Sequence, residues 1–223
     1  MARGKSKVYV VTAPERIRGI YDTWPDCAAA VKGVPGARFQ GVASREQAEA
    51  MLRGEASVLA PGLYAFVDGN HLGGVGVVLV EGDDDEPRVL EQIGLTVREV
   101  FAGSGIASLA TDAAVRAALG RLRNVLAELG ALHLALRLAP EAAALTVVHD
   151  YEGVGAWMEG RWRARDPIVT DVIGACRDIV AARALDVGFR HQRGHQSSWA
   201  ARDDFALYNA RADALATEAA RDA

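Results

Sequence analysis

LYAFVDGN, residues 63–70, is an apolar run that ends in an acid, and its reading decides how the rest of the chain is organised. Leu63 to Val67 are apolar or aromatic, which gives the run strand character, and Asp68–Gly69 reads as a turn closing the strand. Further strands are expected near 74–81 and 88–97, separated by Gly-rich and acidic turns of which EGDDDEP is the clearest. Three consecutive strands with such turns make an antiparallel meander. A second apolar run, Leu145–Val148, is also followed by an acid, Asp150, but leads into a helix start instead of a hairpin. That places two acids at two strand ends, the edge of an open α/β sheet at which ligands bind.

From Ile106 to about Leu138 the pattern is helical, with Gly120 a plausible break between a shorter and a longer helix. Ala118, Leu122, Val125, Leu129, Leu132 and Leu136 form one apolar stripe at helical spacing, read as core, with Asn124 and Glu128 flanking it. Glu128 lies four residues after Asn124 and Asp213 four after Asn209, so each acid shares a helix face with an Asn. A strand at 144–149, a short helix near 154–159, a helix at 168–185, a strand at 186–191 and a helix at about 204–220 complete the order.

Upstream, residues 7–12 and 19–23 read as short strands. TWPDCAAAVKGVPG reads as a helix capped at Thr23 or its neighbours and closed at Gly36, and ARFQGV as a third strand. Ser44 with Gln47 is a capping box opening a helix to about Leu52. GEASVLAPG is a linker, so the expected division is a domain at 1–53, a linker at 54–62 and a second domain at 63–223.

The 223 residues carry a net charge of −4, unevenly divided. Residues 1–60 hold nine basic against six acidic side chains, and the remainder is net acidic by seven. An acidic domain that must approach a polyanion needs counter-charge from metal ions or a separate basic module, and the chain has provision for both. No apolar run reaches the roughly 18 residues that span a bilayer. Cys27 and Cys176 lie far apart in sequence and no signal segment is seen, so a cytoplasmic protein with reduced thiols is expected.

The order of the acids resembles the type 1 ribonucleases H: an Asp-Gly after the first strand (Asp68), a Glu on the first long helix after an Asn (Glu128), an Asp ending the fourth strand (Asp150), and an Asp one turn after an Asn near the C-terminus (Asp213). HDYEGVGAWMEGRWRA and RNVLAEL are similar to the bacterial branch with an N-terminal hybrid-binding module. VYVV, GIYDTW, the position of Cys27 and PGARF resemble that module. The resemblance implies an α/β ribonuclease H fold with a mixed five-stranded sheet, a three-stranded meander then alternating helices and strands, preceded by a small α+β three-stranded domain.

It also implies an endoribonuclease that cuts the RNA strand of RNA/DNA hybrids, leaving 5′-phosphate and 3′-hydroxyl ends. Asp68, Glu128, Asp150 and Asp213 would bind two Mg²⁺ ions, with Mn²⁺ as a substitute, because hard divalent ions prefer clustered carboxylates. His195, in the Gly-His pair of RHQRGHQSS, would be the assisting histidine, with His191 a second candidate. Tyr9, Trp24, Arg38 and Phe39 would face nucleic acid on the N-terminal domain, and Asn124 the ribose 2′-hydroxyls. Gln40 and Gly41 stand where the family usually has basic residues.

The expected partner is the hybrid, with duplex RNA a further ligand for the N-terminal domain, on a monomer away from membranes. Alternatives are a non-catalytic hybrid- or duplex-RNA-binding protein, and another nuclease or strand-transfer enzyme acting on DNA. Two local alternatives stand beside these: a mixed site in which His71 or His149 joins the acids, and a core role for Trp24 and Phe39.

Overall fold

The computed structural model describes residues 8–42, 45–53, 59–83, 86–192 and 204–221. They fall in two compact units, residues 8–53 and residues 59–192 with 205–221. In the first, strands β1 (Val8–Ala13), β2 (Gly19–Tyr21) and β3 (Arg38–Val42) form an antiparallel sheet in the order β2-β1-β3. Helix α1 (Trp24–Val31) starts where the Thr23 hydroxyl accepts the Asp26 N–H, and it ends before Gly33, short of the expected Gly36. Helix α2 (Arg45–Arg53) follows, and its expected Ser44 cap lies outside the described residues. Val10, Val42 and Ala48 make the small core, and Cys27 is also buried.

The second unit is built on β4 (Gly62–Gly69), β5 (Gly74–Gly82), β6 (Arg88–Thr96), β7 (Ala144–His149) and β8 (Asp186–His191), in the order β6-β5-β4-β7-β8. β4, β5 and β6 pair antiparallel, while β7 pairs parallel to both β4 and β8. Helices α3 (Val97–Phe101), α4 (Asp112–Leu122), α5 (Asn124–Leu138), α6 (Gly153–Met158), α7 (Pro167–Ala182) and α8 (Asp204–Ala219) complete it. Strand alternation sorts the core: Ala65, Val67, Val75 and Val77 pack with Leu126, Leu129 and Leu132 of α5 on one face. Phe66, Val78, Val80 and Val148 pack with Phe205, Tyr208 and Ala212 of α8 on the other. The expected mixed five-stranded sheet and the small three-stranded domain are both present. No helix among the described residues is long and apolar enough to cross a membrane.

Three local expectations are corrected. Asp68 and Gly69 continue β4 to its end, and the turn lies at Asn70–Gly73, where the Asn70 Oδ1 accepts the N–H groups of Leu72 and Gly74. The Asn side chain performs the turn that the Asp-Gly pair was expected to make. Gly120 lies inside α4, and the break falls at Arg123, whose φ of 54° ends one helix and begins the next. Between β6 and α4 the chain forms α3 as well. Thr96 and Glu99 form a reciprocal capping box that starts α3. Finally, α5 is buried on every side from Leu126 to Leu136, not along one stripe, because β4, β5, α3, α4 and α7 surround it.

Candidate active site

Missing side chains set the geometry. A Cβ on Gly69 would lie 2.3 Å from the backbone of Ala127 and Glu128, so α5 rests directly on the end of β4 and brings Glu128 beside Asp68. Asp68 pairs across the sheet with Gly76, where a Cβ would stand 2.0 Å from the carbonyl oxygen of Ala212. Gly74 receives Ala216 still more closely, at 1.8 Å. Helix α8 is thereby seated on β5, with Asp213 next to its contact residue. On the other side of β4, Phe66 is level with Val148 of β7, so Asp68 and Asp150, each two residues further on, leave neighbouring parallel strands at the same height.

Asp68, Glu128 and Asp150 each bring a carboxylate oxygen within 4.8 Å of the others. Asp68 and Glu128 are buried and Asp150 is half-buried. Burial, then the charges of Asp150 and Asp213, push the Asp68 carboxyl up to about 7. Asp213 stands outside the 4.8 Å group yet is near enough for its charge to act on Asp68. Glu128 is raised well above the usual carboxylate range, first by burial, then by the charges of Asp68 and Asp150 and by a hydrogen bond to Asp150; the Gly69 N–H opposes the rise. Glu128 Oε2 is buried without a hydrogen-bond partner. Such a group needs either protons or a cation to be stable.

The described histidines do not join this group. His149 is buried, its Nδ1 3.0 Å from the Tyr151 carbonyl oxygen, and burial holds it down to about 4. His191 Nε2 is 2.8 Å from the carbonyl oxygen of Asp150. Since a carbonyl only accepts, both of these ring nitrogens carry hydrogen. His71 is exposed beside the Asn70 turn. His195, the first candidate for an assisting histidine, lies outside the described residues.

Asn124 is exposed at the first position of α5, directly after Arg123. In the N-terminal unit Tyr9, Trp24 and Phe39 form a row of rings with centroids 5.4 and 5.6 Å apart. Trp24 and Phe39 are 46% and 41% exposed, which sets aside the core alternative for both. Arg38 is exposed next to Phe39.

The sequence reading did not pick out a groove of about 960 Å³ walled by Trp157, Trp162, Arg161, Arg163 and Arg165. Trp162 is 43% exposed there, and Arg121 reaches across to pair with Asp166, the N-cap of α7. The signal was present in the alternation of Arg and Trp in RWRAR, a composition suited to stacking and phosphate contact.

Residues 7–52 match the family model described as the ribonuclease H1 N-terminal domain. The structure of RNase H1 from the halophilic archaeon Halobacterium salinarum superposes with a TM-score of 0.50 at 24% identity, covering 72% of this chain and 98% of that one. The RNase H domain of a Mycobacterium tuberculosis protein gives 0.49 at 17% identity, over 73% and 96% of the two chains. LC11-RNase H1, solved in complex with an RNA/DNA hybrid, gives 0.46 at 20% identity, over 72% and 97%. The first of these shows a shared fold. Residues 7–52 thus carry a domain similar to the ribonuclease H1 N-terminal domain, and the second unit shares its fold with a ribonuclease H1 structure.

Proposed function

We propose that the chain is an endoribonuclease that hydrolyses the RNA strand of RNA/DNA hybrids, with residues 1–53 as a hybrid-binding domain, 54–62 as a linker and 63–223 as the catalytic domain. The observation that carries this reading is the convergence of Asp68, Glu128 and Asp150, with the charge of Asp213 acting on Asp68, at the strand ends of a ribonuclease H fold. The donor set suits hard divalent ions: all four candidates are carboxylates, and the unpartnered Glu128 Oε2 is an acceptor in need of a cation. Asp68, Glu128, Asp150 and Asp213 would hold two Mg²⁺ ions, for which Mn²⁺ could substitute. When bound, such ions supply an activated water and neutralise charge on the departing 3′-oxygen.

The remaining work falls to the protein. Water oxygen bonds to phosphorus, the bond to the 3′-oxygen breaks, and a proton reaches that oxygen, giving 5′-phosphate and 3′-hydroxyl ends. His195 is the residue proposed to move that proton. The exposed Asn124 amide can both donate to and accept from a ribose 2′-hydroxyl, the group that separates RNA from DNA. The Trp162 groove offers rings and guanidinium groups to the backbone of a bound strand. The Tyr9–Trp24–Phe39 row offers a second stacking surface, so capture is divided between the two domains. Two unpaired buried cysteines fit a monomer acting in the cytoplasm.

The test uses the full chain with end-labelled hybrid, duplex RNA and duplex DNA, each with Mg²⁺ or EDTA. Cleavage confined to the RNA of the hybrid, dependent on Mg²⁺ and lost in Asp68→Asn while binding persists, is the expected result. Binding without cleavage would leave a non-catalytic hybrid-binding protein, and cleavage of duplex DNA would point to a different nuclease on the same fold.

A further inference from the structure

Strand β7 delivers Asp150, but its own ladder stops one residue too early to hold it. The last backbone bond between β7 and the chain leaving β8 runs from the Gln192 N–H to the His149 carbonyl, 2.8 Å. The next carbonyl, that of Asp150, lies beyond the paired residues, and helix α6 begins only at Gly153. Imidazoles meet two of the three carbonyls of this gap, those of Asp150 and Tyr151, the latter shared with the Val154 N–H at 3.1 Å. His191 Nε2 reaches the Asp150 oxygen at 2.8 Å from across the sheet, and His149 Nδ1 reaches the Tyr151 oxygen at 3.0 Å. His149 and His191 are register partners on β7 and β8, with ring centroids 5.7 Å apart. His149 is further fixed from behind, where a Cβ on Gly155 would come within 2.9 Å of its Nε2.

We propose that His191 is a positioning residue: its Nε2–H, bound to the Asp150 carbonyl, fixes the β7–α6 turn so that the Asp150 carboxylate is aimed at Asp68 and Glu128 and the cluster is ready to take a divalent cation. The inference rests on the metal-binding reading of the acidic cluster. It gives His191 a task different from proton transfer, since the nitrogen that faces Asp150 is engaged with backbone. The Asp150 carbonyl and side chain leave the same Cα, so holding the carbonyl limits how far this residue can turn its carboxylate. Asp150 and Tyr151 are half-buried, and the N–H groups of Val154 and Ala156 hold the Tyr151 and Glu152 carbonyls, so His191 is the group that holds the remaining carbonyl of this turn, that of Asp150.

The chemistry of substitution separates positioning from packing. A Gln side chain carries its amide nitrogen about as far from the backbone as imidazole Nε2, whereas the Asn amide falls short and Phe keeps the ring with no donor. Mn²⁺ binding to the full chain is followed by electron paramagnetic resonance, with the metal-free melting temperature measured in EDTA. His191→Asn and His191→Phe should each weaken Mn²⁺ binding about tenfold or more, the range found when groups that orient metal ligands are lost. His191→Gln should stay within about threefold of wild type, although all three variants keep similar melting temperatures in EDTA. Should either the Asn or the Phe variant fail to fold, the other supplies the comparison with Gln. Binding by Asn or Phe variants equal to wild type overturns the proposal, as does a Gln variant as weak as Phe. If the wild-type chain itself takes up no Mn²⁺, the reading of the acidic cluster falls and this one with it. If wild type binds Mn²⁺ and the variants match it, only the role of His191 falls.

Discussion

Gly69 and Glu128 touch so closely that a methyl group on Gly69 would lie 2.3 Å from the Glu128 backbone nitrogen. The contact is with helix backbone on one side and strand backbone on the other, so neither can yield by rotating a side chain. Gly69→Ala should therefore push α5 away from β4 and separate Glu128 from Asp68. The cost should be about 3 kcal/mol, at the upper end for overpacking, because no rotamer change relieves it. A lower denaturant midpoint with unchanged slope, together with loss of hybrid cleavage, is the expected result; a variant as stable and active as wild type would show that the strand end is softer than this contact implies.

Asp68→Asn should make the metal-free protein more stable, not less, above neutral pH. The folded-state carboxyl titrates at about 7 against 3.8 for the free side chain, so the folded state holds the proton more tightly than the unfolded chain does. The associated stability is full below the unfolded value and is lost as pH rises through about 7. In EDTA the difference between variant and wild type should be small at pH 4 and grow to about 4 kcal/mol by pH 8, from the size of the shift. His133 and His149, both lowered to about 4 chiefly by burial, favour the opposite trend, but they are present in both proteins and cancel in the difference. Mg²⁺ should narrow that difference, since a ligand at a hundredfold its Kd stabilises the wild type by about 2.7 kcal/mol and the variant by less. Parallel pH profiles in EDTA would show that burial and the neighbouring acids do not raise the Asp68 carboxyl.

The strand-end acids were legible because an acid that terminates an apolar run has few places to go. Glu128 was harder: its burial depends on α5 being enclosed on all sides, and the stripe of leucines suggested only one buried face. The glycines were the least legible feature. Gly69 read as half of a turn, whereas its missing Cβ admits a helix, and Gly74 and Gly76, which seat α8, carried no sequence signal that set them apart. Periodicity records which residues prefer burial but not which missing atoms allow two backbones to meet. For the same reason the helix break was assigned to Gly120, the residue of lowest helix propensity, when the chain turns at Arg123. The Trp162 groove depends on the path of the chain between α6 and α7, which no local pattern specifies.

Trp162→Ala tests whether that groove contacts substrate. The side chain is 43% exposed and packs edge-on to Trp157, so its removal should leave the melting temperature within a few degrees of wild type. If a strand of the hybrid lies there, KM should rise by roughly tenfold, the equivalent of one lost stacking contact, with kcat nearly unchanged. A fall in kcat at constant KM would instead tie the groove to the chemistry, and no change in either would remove it from the binding surface.

Trp24→Ala makes the corresponding test on the N-terminal domain, where Trp24 is the middle ring of the Tyr9–Trp24–Phe39 row. The core of this unit is Val10, Val42 and Ala48, and Trp24 is 46% exposed, so truncation removes a surface ring and not an interior one. Loss of one stacked base or sugar contact should weaken hybrid binding by about 1–3 kcal/mol while circular dichroism and melting temperature hold. Phosphate contacts should add little here, because Gln40 and Gly41 follow the Arg38–Phe39 pair where basic side chains would have served. The logarithm of the binding constant should then fall with the logarithm of salt by only a few units, since each neutralised phosphate contributes close to one. Trp24→Ala should leave that slope unchanged, being a change of stacking and not of charge, whereas Arg38→Ala should reduce it by roughly one unit. A Trp24 variant that binds as tightly as wild type, or an Arg38 variant with an unaltered slope, would move the nucleic-acid surface off this face of the domain.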